Sequence, residues 1–414
     1  MDYSAIVDTS ATDFSEIAAP KINPPEINPP EANAFGSATS DCQGTFKPSP
    51  GISFDHKIET YQRLIEAVPD SFEAWSYLSY FLACSGRYRD SASAYVRTLY
   101  IKSNQPRIWC NYATVLEKLG HYEEAVENYS KALVFSPDYL KAMYGKSQNL
   151  YRLSEYQAAL ESYDQALAIG TNAYQATTYE LWYGRGKALF KLRRLDEAVA
   201  SFETALRLNP HVAKVWASLG QALMYQRQDE LAIQQFDQAL KLMPTDALSW
   251  VYKGCLLKRL GRYKEALACF DKAIDLEPTV ARAWHYRGLT FINMRQYSDA
   301  HDSFRVALQC QAYDHKSWLS LAWALEKMGD YKQAIDAYNK ALSIEPDQAF
   351  AFYRQARCYA ALKNIPFAVE HLRRAIALCP NQYLERALVD PLLHNLQPKA
   401  LLAASPTAAI SRVN

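Results

Sequence analysis

The sequence predicts an all-α fold, a solenoid assembled from a repeating pair of helices. Three observations carry that expectation. Trp75 and Trp109 lie 34 residues apart, and Trp182, Trp216, Trp250, Trp284 and Trp318 follow one another at the same interval; a fixed period of this size marks a repeat architecture. With the Trp placed at position 4, nine units begin at Phe72, Pro106, Leu140, Tyr179, Ala213, Ala247, Ala281, His315 and Ala349, and position 20 is alanine in eight of the nine while position 27 is alanine everywhere but Thr98. Only 14 of 414 residues are glycine, too few for a turn-dense all-β fold.

Within each unit the residues mark two helices. Small side chains at positions 20 and 27 let a second helix lie against the first, and an aromatic at position 24 (Tyr95, Tyr129, Tyr163, Phe202, Phe236, Phe270, Phe304, Tyr338, then Leu372) fills the space between them together with the Trp. Gly86, Gly120, Gly261 and Gly329 stand where the first helix must end, as left-handed caps. Pro137, Pro210, Pro244, Pro278, Pro346 and Pro380 at position 32 close the unit beyond the second helix.

A Trp, a Leu, a small residue, a Tyr, two alanines and a Pro at this spacing resemble the tetratricopeptide repeat (TPR) family over roughly Phe72 to Gln382. The resemblance implies antiparallel helix pairs stacked into a right-handed superhelix, with first helices lining a concave groove that holds a peptide or a partner's helix. The chaperone-binding clamp of that family is not reproduced in three consecutive units, and its asparagine ladder is missing.

Around the array the expected organisation is a disordered, Pro-rich acidic tail over 1–53, a capping helix over 54–71, nine repeats over 72–382, a C-terminal capping helix over 383–396 and a disordered tail over 397–414. Ile58, Tyr61, Leu64, Ile65 and Val68 form one helical face ahead of Pro69. Residues 1–50 hold seven of the 19 prolines and a formal charge of −5, which favours extended chain over a core. The third unit carries five extra residues near Gly170–Tyr174, expected to fall in a loop or to lengthen the next helix.

Composition limits function. A net charge of +1 argues against a coat for polyanions, so any basic surface is local. The chain lacks a long uncharged apolar run, and its first twenty residues carry acids without Lys or Arg, giving the expectation of a soluble cytoplasmic protein. Eight scattered cysteines read as reduced thiols. No catalytic or zinc-binding spacing is present, so the expectation is a non-enzymatic protein without cofactor or metal.

The groove supplies the candidate site. The resemblance turns positions 2, 5, 6, 9, 12 and 13 inward, where fourteen bases (Arg107, Lys118, Lys141, Arg152, Lys187, Lys191, Lys214, Lys258, Arg259, Arg282, Lys316, Lys327, Arg354 and Arg357) face four acids (Glu73, Glu117, Glu180 and Glu326). Position-13 bases suit a helix C-terminus without any ligand, whereas Arg107, Lys141, Lys214, Arg282 and Lys316 lie in a first turn, where the macrodipole disfavours a cation. Interleaved with them are Tyr144, Tyr151, Tyr183, Phe190, Trp323 and Tyr353, surfaces for apolar anchors and cation–π contacts. Lys141, Tyr144, Gln148, Tyr151 and Arg152 form the richest patch, continued by Tyr183, Lys187 and Phe190, and His285 is the histidine expected to face the groove. The expected partner is another protein, through an acidic segment or helix, in the assembly of a multiprotein complex. RNA binding, or service as the regulatory subunit of a separately encoded enzyme, stands as the alternative.

Overall fold

A computed structural model describes residues 54–169 and 175–396. The expected tails and the inserted Gly170–Tyr174 lie outside the described residues, as does Cys42. The chain divides into two compact units, one ending at Arg227 and the other beginning at Gln228.

The first unit contains α1 (Phe54–Ala67), α2 (Phe72–Cys84), α3 (Tyr88–Ile101), α4 (Pro106–Leu119), α5 (Tyr122–Phe135), α6 (Leu140–Arg152), α7 (Tyr156–Ala168), α8 (Gln175–Lys191), α9 (Leu195–Leu208) and α10 (Ala213–Tyr225). The second contains α11 (Asp229–Leu242), α12 (Ala247–Arg259), α13 (Tyr263–Leu276), α14 (Ala281–Asn293), α15 (Tyr297–Cys310), α16 (His315–Met328), α17 (Tyr331–Ile344), α18 (Ala349–Ala361), α19 (Ile365–Leu378) and α20 (Pro380–Val389), then a short 3₁₀ turn at His394–Leu396. Among the described residues the structure is helical throughout, as the repeat pattern requires.

Within each unit, a first helix packs on the second helix of its own repeat and that second helix on the first helix of the next repeat. First helices also touch one another directly, α4 on α6 and α6 on α8 in the first unit, α12 on α14 and α14 on α16 in the second. In a curved stack the layer whose members approach most closely is the inner one, so within each unit the first helices carry the concave face.

The core is the recurring triad of positions 20, 24 and 27. Tyr95, Tyr163, Phe202, Phe236, Phe270, Phe304, Tyr338 and Leu372 are completely enclosed, and the alanines beside them are buried. A fully buried aromatic stabilises the fold by about 1.5–3 kcal/mol relative to exposure, so one such residue per repeat accounts for much of the cohesion. Contact is close enough to require glycine: a Cβ on Gly254 in α12 would stand 2.6 Å from the Phe270 ring on α13.

The tryptophan plays a different part from the one expected. It is half-buried rather than a core plug, and its indole Nε1 donates to the carbonyl six residues earlier, in the turn that ends the preceding unit: Trp109 to Ser103, Trp216 to Pro210, Trp250 to Pro244, Trp284 to Pro278 and Trp318 to Ala312, at 2.6–3.0 Å. The turn carbonyl that no helix can satisfy finds its donor there.

The four glycine caps have φ of 76 to 86°, and the same position 15 is left-handed in the other five repeats, at Ser154, Arg193, Arg227, Arg295 and Lys363 with φ of 59 to 64°. The turn geometry therefore recurs nine times, with a non-glycine residue in five of them. α8 begins at Gln175, four residues ahead of Tyr179, and at 17 residues is longer than the other first helices. The closing helix is displaced from its expected span of 383–396: it starts at Pro380, which occupies the first turn, and stops at Val389 because Asp390, ahead of Pro391, is extended. Among the described residues no helix is long and apolar enough to cross a membrane, and the seven described cysteines are free.

Candidate functional site

The first unit brings part of the richest predicted patch together. Tyr151 near the end of α6 and Tyr183 in α8 bracket the Lys187 ammonium, which lies 4.8 Å from the Tyr151 centroid and 5.0 Å from that of Tyr183. Lys214, from the first turn of α10, sits 5.4 Å from the same Tyr183 ring, and the Tyr183 hydroxyl is 3.4 Å from Ser218 Oγ. Spacing explains the convergence. Tyr183 and Lys187 are four apart on one helix face, and positions 12, 9 and 2 of successive units fall on adjacent first helices.

Among the described residues no carboxylate or other hydrogen-bond acceptor pairs with Lys187 or Lys214. Burial, then the neighbouring charges of Lys214 and Arg152, pull the Lys187 ammonium down to about 8, so the site holds its cation at a cost. Phe190 stacks edge-on against Tyr225 at 5.2 Å, continuing the aromatic wall. Lys141, Tyr144 and Gln148 are half-buried along α6, and the Tyr144 hydroxyl is raised above its ordinary range by burial and by Glu180.

Arg152 belongs to a different arrangement. Its guanidinium donates to buried Glu117 at 2.8 Å, and Asn149 Nδ2 donates to the same carboxylate at 3.1 Å. Arg107 is exposed at the start of α4.

The second unit separates its candidates into two groups. Around α14, His285 Nδ1 lies 2.7 Å from Ser317 Oγ, whose hydroxyl donates to the Asp314 carboxylate; Lys258 Nζ lies 5.6 Å from the Tyr286 centroid. Burial, opposed by Asp314 and reinforced by Lys258, Lys316 and Arg282, pulls His285 down to about 4, leaving it neutral. The other group is structural. Arg354 Nε lies 2.9 Å from Glu326 Oε2, Arg357 bridges Glu326 and Asp390, Tyr338 donates to Glu326 at 3.2 Å and Tyr353 donates to Asp390 at 2.7 Å. Arg354 also lies 5.8 Å over Trp323. Tyr353 is buried in this network, so it offers no groove surface.

Sequence reasoning left these pairings unread. Glu117 and Glu326 were counted as groove acids, yet each is a buried acceptor for a position-24 tyrosine and for cations from the next repeat. The recurrence of Glu at position 12 with Tyr at position 24 was the available signal. On the outer side, Asp164, Asp237 and Asp271 are held by Arg185, Lys253 and Arg287 of a following repeat at 2.6–2.7 Å. Among the described residues no group of three or more His, Cys, Asp or Glu side chains is placed to hold a metal.

Comparison with known proteins agrees with this repeat register. The tetratricopeptide repeat profile matches residues 106–139, one unit beginning at Pro106, and the profile of the cilia and flagella-associated protein 70 C-terminal domain matches residues 179–383, beginning at Tyr179. The chain belongs to the tetratricopeptide repeat family. Solved TPR structures are similar to it. YrrB, described as a TPR protein with an unusual peptide-binding site, is 24% identical over 47% of this chain and 97% of its own, with a TM-score of 0.41. The C-terminal part of a TPR protein from Cytophaga hutchinsonii is 21% identical over 57% and 95%, with a TM-score of 0.49. A chain of the Cut9–Hcn1 assembly is 14% identical over 82% and 93%, with a TM-score of 0.44. None of the curated proteins matches.

Proposed function

We propose that this TPR protein is a non-enzymatic scaffold whose first unit takes an acidic extended segment or helix of a partner protein, in the assembly of a multiprotein complex. The observation that supports it is Lys187, held between Tyr151 and Tyr183 beside Lys214 with no carboxylate among the described residues paired to it. A partner Asp or Glu supplies the missing charge, and the aromatic faces of Tyr151, Tyr183 and Phe190 receive the apolar side chains that flank it. Lys141, Tyr144 and Gln148 extend the same surface along α6.

The test is a titration of an acidic peptide containing leucine and phenylalanine, with fluorescence anisotropy as the readout. Lys187→Glu and Lys214→Glu are expected to weaken binding and to flatten its salt dependence, because exposed ionic contacts are screened within about 8–10 Å at physiological salt. Lys272→Glu, on the outer helix α13, serves as control. Equal losses in the control and the groove variants would remove the groove from the reading.

A further inference from the structure

A ligand of the kind that suits the first unit is written in the chain itself. The site takes a carboxylate flanked by apolar side chains, and the sequence carries that combination twice in succession, as Ile22-Asn23-Pro24-Pro25-Glu26 and Ile27-Asn28-Pro29-Pro30-Glu31. From Ile22 to Phe46 the chain holds three acids and no Lys, Arg or His. These residues precede α1 and lie outside the described ones.

Charge and side-chain chemistry fit this segment to the site. Lys187 and Lys214 lie 5.0 and 5.4 Å from the one Tyr183 ring, the charge of Lys214 acts on Lys187, and among the described residues no carboxylate pairs with either. A carboxylate placed by the two ammoniums relieves that repulsion. Proline holds its φ fixed in the free chain, so a Pro-Pro pair surrenders little freedom on docking, and such segments pack on grooves lined by aromatic rings. Tyr151 and Tyr183 around Lys187, with Phe190 against Tyr225 beyond them, make a wall of that kind. At a polyproline II rise of about 3.1 Å per residue, Glu26 and Glu31 stand about 15 Å apart. One of them at a time faces the lysine pair, and the twin motif offers two registers.

The connecting chain is long enough. The 22 residues between Glu31 and Phe54 reach up to about 75 Å. α1 packs on α2, and the first helices α2, α4, α6 and α8 touch in succession, so at about 10 Å per helix the site lies about 40 Å from α1.

We propose that residues 22–31 dock on the Lys187–Lys214 site of their own chain, so that a partner's acidic segment enters by displacing them. This inference rests on the acidic-segment reading of the site and adds its regulation. A linker of this length holds the segment at an effective concentration on the order of 1 mM, so an intrinsic Kd of about 0.1 mM keeps the site about nine-tenths occupied and weakens an incoming ligand about tenfold. Docking of that strength answers only part of the cost of enclosing Lys187.

The test uses the full chain with its isoleucine δ1 methyl groups carbon-13 labelled, and the acidic leucine–phenylalanine peptide as probe. Ring currents from Tyr151 and Tyr183 should move the Ile22 or Ile27 methyl signal upfield. Saturating peptide, or Lys214→Gln, should return it to the position of a solvated isoleucine. Glu26→Gln combined with Glu31→Gln should release the same signal and tighten peptide binding about tenfold. Both glutamates precede α1, so this variant leaves the packing of the array as it is.

Peptide binding of equal affinity in parent and glutamine variant, or methyl signals unshifted in the parent, would overturn the docking and leave the acidic-segment reading standing. Absence of peptide binding by both proteins would remove that reading, and the docking that rests on it. Shifts that fade on dilution of the protein would place the segment on a second copy and overturn the contact within one chain.

Discussion

Trp250 Nε1 donates to the carbonyl of Pro244 at 3.0 Å, joining a first helix to the turn that precedes it. Because the contact recurs from unit to unit, the tryptophan acts as a clip between repeats and its ring is free to remain half-exposed. Trp250→Phe keeps most of the ring's contact and removes the donor, so the expected loss is about 1 kcal/mol. Urea denaturation followed by circular dichroism measures it, and an unchanged midpoint would show that water replaces the indole without penalty.

Position 15 offers a test with opposite signs at equivalent sites. Gly261 has a φ of 76° with open space where its Cβ would go, so Gly261→Ala meets a backbone penalty alone and should cost about 1 kcal/mol. Lys363 adopts the same left-handed conformation with φ of 59°. Lys363→Gly should therefore be neutral or stabilising, by under about 1 kcal/mol, since relief of the left-handed strain outweighs the added freedom of the unfolded chain. A clear destabilisation would mean that the Lys363 side chain contributes more than its backbone strain removes.

These examples show what the sequence reveals and where it stops. Periodicity exposed the helix pairs, the buried alanines and the position-24 aromatics because packing at fixed helical intervals restricts residue type at every turn of the array. The five non-glycine left-handed residues were hidden, since Ser154 or Arg193 satisfies the turn without advertising it. Pairings between repeats were hidden for another reason: Arg152 finds Glu117 at a separation of 35 residues, a relation that composition at either position does not disclose. Of the predicted groove, Tyr151, Tyr183, Lys187 and Lys214 converge, whereas Arg152 and Arg354 are taken up by buried carboxylates.

Close packing makes Gly254 and Phe270 a coupled pair. Gly254→Ala places a methyl within 2.6 Å of the ring and should cost about 1–3 kcal/mol by overpacking. In a Phe270→Leu background the added methyl meets a smaller side chain, so the same substitution should cost less. Additive losses in the double-mutant cycle would place the strain elsewhere.

Lys187 makes stability depend on pH in a direction that can be worked out. Its folded pKa, about 8, lies below the ordinary lysine value, so between roughly pH 8 and 10.5 the unfolded chain binds more protons at this residue than the folded one. Stability from this group alone therefore rises with pH across that window, and the penalty is fully present at pH 7. Lys187→Met should stabilise the protein at pH 7, by about 1–3 kcal/mol, and the advantage should shrink as pH is raised toward 9.5. Taking the difference between variant and parent cancels the tyrosines that titrate nearby. A constant difference from pH 7 to 9.5 would mean that the lysine titrates normally and is adequately solvated.

The C-terminal closure rests on Asp390, which accepts from Arg357 and Tyr353 where the chain turns out of α20. Asp390→Ala leaves the Arg357 guanidinium short of one carboxylate while Glu326 retains it on the other side at 3.1 Å. The loss is therefore expected at about 2–3 kcal/mol, below the 3–5 kcal/mol of an ion pair broken without any remaining counter-charge. It should also be local. Amide exchange in α20 is expected to accelerate first, because a terminal helix contacts a single neighbouring repeat and opens without disturbing those behind it. Glu326→Ala removes the acceptor shared by Arg354, Arg357 and Tyr338, so its exchange should quicken across α16, α17 and α18 together. Uniform acceleration over the whole second unit in both variants would show that the repeats there open as one block, with no separate step at the closing helix.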